Sequence, residues 1–259
     1  MKRIGQHFTR IASRYRQLRI TDGAPVLFIK RKVRHRRRLI AADVGCGAGR
    51  YDLLLFQHLG KRLFLYCIDT NNNMLSELKK YLCNHRIDNF KTIRAEADKI
   101  PLADNSLDAI FTFNAIHHFD LLGFLANCSR VLKNRGYLFI YTRLRRQNRH
   151  NIWGKYFPSF YEKETRLYDL KWLKMAIRKT PGLNLESCQY FKYARLSSLN
   201  WLVEHACAHH YSTFTFYSQD EFQLAVKEFI CNIQENFYDI NQIRWFDENI
   251  LLVIKKLVK

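Results

Sequence analysis

The run Asp43-Val44-Gly45-Cys46-Gly47-Ala48-Gly49 has the residue types of a turn that cradles a ligand. Glycine at every second position lets the main chain take conformations closed to other residues and approach a ligand closely. A helix starting at Arg50 would aim its unpaired N–H groups at the same point, which suits an anionic or strongly polar group. The spacing is G-x-G-x-G, whereas the dinucleotide fingerprint is G-x-G-x-x-G, and position 50 is Arg. That difference weighs against a nicotinamide or flavin dinucleotide.

Further polar residues follow in order. Asp69 ends an apolar run a little over ~20 residues past the glycine turn, where an acid can hold a ribose diol. Asp98 could accept a hydrogen bond from an adenine amino group. Asn114 closes the run Leu107–Asn114, and His117-His118 follow it, with imidazoles in the pKa range of a general base. The cysteines at 46, 67, 83, 128, 188, 207 and 231 are scattered, and none forms a C-x-x-C pair. No metal site is expected, and reduced thiols point to a cytoplasmic protein.

These residues need a frame to hold them. Short apolar runs predict strands at Leu39–Val44, Leu63–Ile68, Thr92–Ala95, Leu107–Asn114, Tyr137–Thr142, Leu185–Tyr193 and Ile250–Ile254. Helical spacing predicts Ile4–Leu18, a second helix from Pro25 into Lys30–Val33, then Arg50–His58, Asn73–Cys83, Leu121–Leu132 and Leu170–Lys179. Strand–helix alternation with near-continuous apolar strands implies a mostly parallel α/β sheet covered on both faces. Residues 197–237, with helical stretches Leu199–His209 and Glu221–Asn236, read as an insertion before the last strand. The expected organisation is one domain over 1–259: an N-terminal helical lid (1–37), a ligand-binding core (38–145) and a second-substrate side (146–259).

The ordered set Asp43–Gly49, Asp69, Asp98, Asn114–Phe119 and Arg130–Tyr137 resembles the class I S-adenosylmethionine-dependent methyltransferases of the UbiE/COQ5-like type (methyltransferase type 11). The resemblance covers roughly residues 38–145. It implies a Rossmann-like seven-stranded sheet whose last strand is antiparallel, with Leu185–Tyr193 and Ile250–Ile254 as a closing pair. It implies S-adenosylmethionine as cofactor, with Gly45, Cys46 and Gly47 at the methionine part, Asp69 and Thr70 at the ribose, and Asp98 and Lys99 at the adenine. Asp43 would orient the turn, Asn114 would sit beside the cofactor, and Tyr15 or Arg19 on the lid would reach the methionine carboxylate. The stretch His209–Phe214 is also similar to a segment of largely uncharacterised bacterial relatives.

Methyl transfer from a sulfonium needs alignment and exclusion of water. It needs a general base, for which His117 and His118 are the candidates, only if the acceptor must lose a proton. The expected acceptor is a small molecule methylated at O, N or C. An RNA or protein acceptor, or a cofactor-binding interaction protein without turnover, is the alternative. Trp153, Tyr156, Phe157, Phe160 and Tyr161 are expected to shape the acceptor pocket together with the insertion.

The formal net charge is +20, which favours polyanions in general. Much of it lies in Lys30–Arg38 and Arg143–Arg149. The first run should lie at the sheet end opposite the cofactor. The second should lie at the cofactor end, where Arg143, Arg145, Arg146 and Arg149 could bind an acidic or phosphorylated acceptor. Nucleic acid is therefore possible but not favoured, and the oligomeric state is left open. Met1–Thr9 does not read as a secretory signal, and no stretch approaches the ~20 apolar residues of a membrane span.

Overall fold

The computed structural model describes residues 2–258, and side chains from Gly5 to Val258. Seven strands form one sheet: β1 (Leu39–Val44), β2 (Leu63–Asp69), β3 (Phe90–Arg94), β4 (Leu107–Phe113), β5 (Leu132–Thr142), β6 (Leu183–Ser197) and β7 (Ile243–Lys256), in the order β3-β2-β1-β4-β5-β7-β6. β7 runs antiparallel to both β5 and β6, and the other pairings are parallel. This is the Rossmann-like sheet with an antiparallel last strand expected from the sequence.

The helices are α1 (Lys2–Ile11), α2 (Ala24–Lys32), α3 (Arg50–Leu59), α4 (Asn72–Asn84), α5 (Leu121–Val131), α6 (Arg145–His150), α7 (Ile152–Tyr156), α8 (Phe160–Lys163), α9 (Leu170–Lys179), α10 (Leu199–Cys207) and α11 (Gln219–Asn236). Successive side chains of a strand point to opposite faces, so β4 divides its residues between two cores. Ala109 and Phe111 pack with Ile29, Leu55 and Leu78 of α2, α3 and α4. Ile110 packs with Phe124 of α5 and with Leu173 and Ile177 of α9. With both faces covered, β4 is buried throughout, which is why its sequence is almost wholly apolar.

Several boundaries differ from expectation. The helix expected over Ile4–Leu18 stops at Ile11 and tightens into a 3₁₀ turn over Ala12–Arg14. The tightening packs Ile11 and Ala12 against Ala48 and Met74, and Phe8 and Tyr15 join the same cluster. Ile4, the first residue of the expected stripe, lies outside the described side chains. β5 begins at Leu132, five residues early, where a register shift lets Leu107 pair with Leu132 before Ala109 pairs with Tyr137.

β6 and β7 are far longer than their apolar runs. Beyond the pair Thr142↔Ile250 they leave the sheet as a two-stranded ribbon that ends at Ser197↔Ile243. Polar residues such as Asp247-Glu248-Asn249 disguise this ribbon in the sequence, because part of its covered face lines a polar cavity and not an apolar core. The insertion between the two strands shares an aromatic core with the α7–α8 segment, Phe214 and Phe229 packing with Trp153, Phe157 and Phe160.

Candidate active site

The glycine turn joins β1 to α3. Gly45, Gly47 and Gly49 have φ of +74°, +56° and +84°, in the left-handed region that side chains resist. A Cβ on Gly45 would also lie 2.5 Å from Ala115 Cβ and 2.8 Å from the Phe119 ring, so glycine is required there twice over. The N–H groups of Gly45 and Cys46 donate to the carbonyl of Ile68 at 2.8 and 3.2 Å, tying the turn to β2. Asp69, at the tip of β2, completes the brace: Oδ2 accepts from Gly47 N and Oδ1 from Asn71 N, each at 2.9 Å. Gly49 is the N-cap of α3 and offers no side-chain cap, leaving the first N–H groups of that helix without one.

Behind the turn lies a buried acid pair. Asp43 is 1% exposed and Asp52 is fully buried; Cys67 donates its S–H to Asp52 at 3.3 Å. Burial pushes both carboxyls up, Asp52 to about 7. Burial likewise raises the thiols of Cys46 and Cys67 well above their ordinary value, so both stay protonated. Asp43, counted among the cofactor-binding residues, stands behind the turn with its Oδ1 buried and without a hydrogen-bond partner.

A carboxyl raised from 3.8 to about 7 contributes stability at low pH that is lost as pH climbs through that window. Asp52→Asn should remove this loss. Urea unfolding at pH 5 and pH 8 is expected to show the variant gaining on the wild type by about 1–3 kcal/mol between the two pH values. Equal gaps at both pH values would show that Asp52 carries no such proton.

The remaining expected cofactor residues are spread along the carboxyl ends of the strands. Asp98 is half-buried in the turn after β3 and sits beside α5: its Cβ would be 2.8 Å from a Cβ on Gly123, and Asn127 donates to its carbonyl. Thr70 and Lys99 are exposed. The Thr70 carbonyl accepts from Arg94, and the Lys99 N–H donates to Glu96 at 3.1 Å. Asn114 follows β4 at φ +55°, donating its N–H to Tyr141 O at 2.7 Å. Tyr15 reaches the turn, its ring 3.5 Å from where a Cβ on Gly47 would be.

Next to these ends is a cavity of about 110 Å³. Tyr15 and Arg19 border it from the N-terminal segment, Asn114 and His117 from β4, and Trp153 and Tyr211 from the acceptor-side region. His117 is neutral: burial, then Arg166 and Arg19, push its imidazole down to about 3, and its Nδ1 has no partner. Burial and then His117 hold His118 well below its ordinary value too. His118 turns away from the cavity, with Arg166 donating to its Nδ1 at 3.4 Å and its ring edge-on to Phe8.

Further polar residues surround the cavity, and apart from Arg143 the sequence did not single them out. Arg195, on the β6–β7 ribbon, forks onto Asp22 at 2.8 and 2.9 Å and also donates to Asp247 at 3.0 Å. Arg143 pairs with Asp247 at 3.0 Å. Glu164 is gripped by Arg166 and by Thr213 Oγ1 at 2.6 Å; burial works against ionisation, but these partners more than offset it and hold the carboxyl below its ordinary value. The only sequence signal for the rest was the His209–Phe214 similarity, which contains Tyr211 and Thr213.

Of the four arginines expected near the acceptor, Arg143 alone lines the cavity. Arg145 is held by the Glu164 carbonyl at 2.8 Å and lies over Tyr161, while Arg146 and Arg149 are exposed. Of the five expected aromatics, Trp153 and Phe160 line the cavity, and Phe157 is core.

Residues 42–140 match the family described as "Methyltransferase domain". The match covers well under half of the chain. S-adenosylmethionine is the cofactor such a domain implies. The mouse tRNA (carboxymethyluridine(34)-5-O)-methyltransferase ALKBH8 is 28% identical over 121 residues, 45% of this chain and 16% of that protein. The chain spans less than half the length of each curated relative it matches.

Among solved structures, YcgJ from Bacillus subtilis superposes with a TM-score of 0.65 at 15% identity, over 92% of this chain and all of that one. Phosphoethanolamine N-methyltransferase 2 of Haemonchus contortus, crystallised with S-adenosyl-L-methionine, superposes with a TM-score of 0.57 at 18% identity, over 91% of this chain and 52% of that one. These likenesses bear on the fold. The residues of this chain fit the cofactor: a cradle with no room for side chains at Gly45, an uncapped helix start, and a carboxylate at the β2 tip.

Proposed function

We propose that the chain transfers a methyl group from S-adenosylmethionine to the O, N or C atom of a small molecule held in the cavity beside Asn114 and His117. The observation that carries this reading is the position of Tyr15, whose ring borders both Gly47 of the turn and the cavity. When bound, S-adenosylmethionine supplies a methyl group on a sulfonium, with a neutral thioether as leaving group. Asp69 would accept from the ribose hydroxyls and Asp98 from the adenine amine, with Thr70 and Lys99 alongside. Gly45, Cys46 and Gly47 would face the methionine part, and Tyr15 would cover it. The UbiE/COQ5-like resemblance belongs to this proposal, as does a cytoplasmic setting, for which the seven free cysteines speak. Among the described residues no helix is long and apolar enough to cross a membrane.

The chain's own contribution is alignment and exclusion of water. A neutral His117 beside two arginines is a weak base, because protonating it would bury a third positive charge. His117→Gln is accordingly expected to keep the transfer rate within about tenfold. A loss of about 10³-fold, together with disappearance of an acid limb from the pH–rate profile, would instead assign His117 as the base.

The run Lys30–Arg38 precedes β1 and so sits at the amino ends of the parallel strands, away from the cavity. Arg62 orders it by donating to the carbonyls of Val33, Arg34 and Arg36. Charge placed there does not lead an RNA to the methyl group. Incubating the protein with methyl-labelled S-adenosylmethionine and a cell extract should put label in the low-mass fraction. Label confined to RNA or protein would reject the small-molecule reading.

A further inference from the structure

Four arginines line the cavity, at 19, 50, 143 and 195, together with three carboxylates, Asp22, Glu164 and Asp247. Every carboxylate is already taken. Arg195 holds Asp22, Arg143 and Arg195 share Asp247, and Arg166 holds Glu164 from the cavity wall. Arg50 is satisfied by neutral oxygens, donating to Ile20 O at 2.7 Å and Thr21 Oγ1 at 3.1 Å. Arg19 has neither kind of partner among the described residues. Its Nε is buried without a hydrogen bond, and its guanidinium carbon lies over Tyr211, 4.1 Å from the ring centroid.

A half-buried guanidinium without an acceptor forgoes charge-assisted hydrogen bonds that are among the strongest a protein makes. The cation–π contact with Tyr211 favours the charge but supplies no hydrogen-bond acceptor. Burial, first of all, holds His7, His117, His118 and His210 neutral near the Arg19 charge, and Arg19 Nε makes no hydrogen bond to any of them. An anion arriving at Arg19 completes the site.

On the reading that this cavity is the acceptor site, we infer that Arg19 binds a carboxylate carried by the methyl acceptor. The single charge follows from there being one arginine without an acceptor. The side follows from the cation–π partner. Tyr211 belongs to the insertion, whereas the turn is covered by Tyr15, whose ring is 5.8 Å from Arg19.

The test is a thermal-shift and calorimetry series on the full chain saturated with S-adenosylhomocysteine, using benzoate, the neutral benzamide and phenyl phosphate. Benzoate is expected to raise the melting temperature, benzamide to do so weakly or not at all, and phenyl phosphate less than benzoate. Arg19→Gln is expected to cut benzoate affinity by about tenfold or more, with Arg19→Lys intermediate and S-adenosylhomocysteine binding changed less than about twofold. Equal shifts from benzamide and benzoate, a stronger shift from phenyl phosphate, or no shift from any probe would overturn the inference. So would an Arg19→Gln variant that loses S-adenosylhomocysteine but keeps 5′-methylthioadenosine, since Arg19 would then hold the methionine carboxylate and methyl transfer would stand. Absence of S-adenosylhomocysteine binding in the wild type would remove the underlying reading itself.

Discussion

Replacing Asp69 with alanine lowers the affinity for S-adenosylhomocysteine by about 10²-fold or more, a loss read directly by titration calorimetry. The side chain is expected to act on the ligand and on the turn at once. It accepts from Gly47 N and Asn71 N, and these backbone bonds oppose the burial that raises its carboxyl. The free lone pairs are the ones offered to the ribose hydroxyls. Losing two hydrogen bonds to a charged acceptor, at about 1.5–3 kcal/mol each, is a factor of roughly 10² to 10⁴ in binding. Asp69→Asn keeps an oxygen for Gly47 and should lose less. If both variants bound the ligand like the wild type, the ribose would not rest on β2.

The second large effect falls on stability and leaves the cofactor alone. Trp153 is 3% exposed and packs against Phe229 (5.3 Å between centroids), Phe214 (5.6 Å) and His210 (4.7 Å). Truncating so large a buried ring costs about 3–5 kcal/mol, transfer and cavity contributions together. Trp153→Ala is therefore expected to lower the urea midpoint sharply, while S-adenosylhomocysteine binding survives wherever the protein stays folded, because Trp153 touches the acceptor side alone. Trp153→Phe, a smaller change in volume, should recover most of the loss. A variant of unchanged stability would mean that the shared aromatic core does not support the domain.

The core of the fold was legible because its physics is local. A strand buried on both faces must be apolar, a turn at positive φ must be glycine, and α3 must begin where that turn ends. Those constraints are written at β1, β4 and Gly45–Gly49, and there the expected and observed boundaries agree to within a residue. The acceptor side obeys long-range constraints instead. Arg195 meets Asp22 across 173 positions, and Arg143 meets Tyr211 across 68. Neither pairing has a local spacing that a reader of the chain could detect.

The basic run Arg143–Arg149 shows the same limit. Charge density suggested one anion site, whereas the fold spends Arg143 on Asp247, sends Arg145 to a carbonyl and leaves two arginines in solvent. Arg19, without a local charge cluster to mark it, is the arginine left without an acceptor. The length of the β6–β7 ribbon was hidden for a related reason. Part of its covered face lines a polar cavity and not an apolar core, so no apolar run marks it.

A crystal structure with S-adenosylhomocysteine bound tests the central claim most directly. The account places the ribose on Asp69, the methionine part along Gly45–Gly47, and the sulfur facing the cavity bordered by Asn114 and His117. A ligand lying elsewhere, or one whose sulfur points away from that cavity, would contradict it.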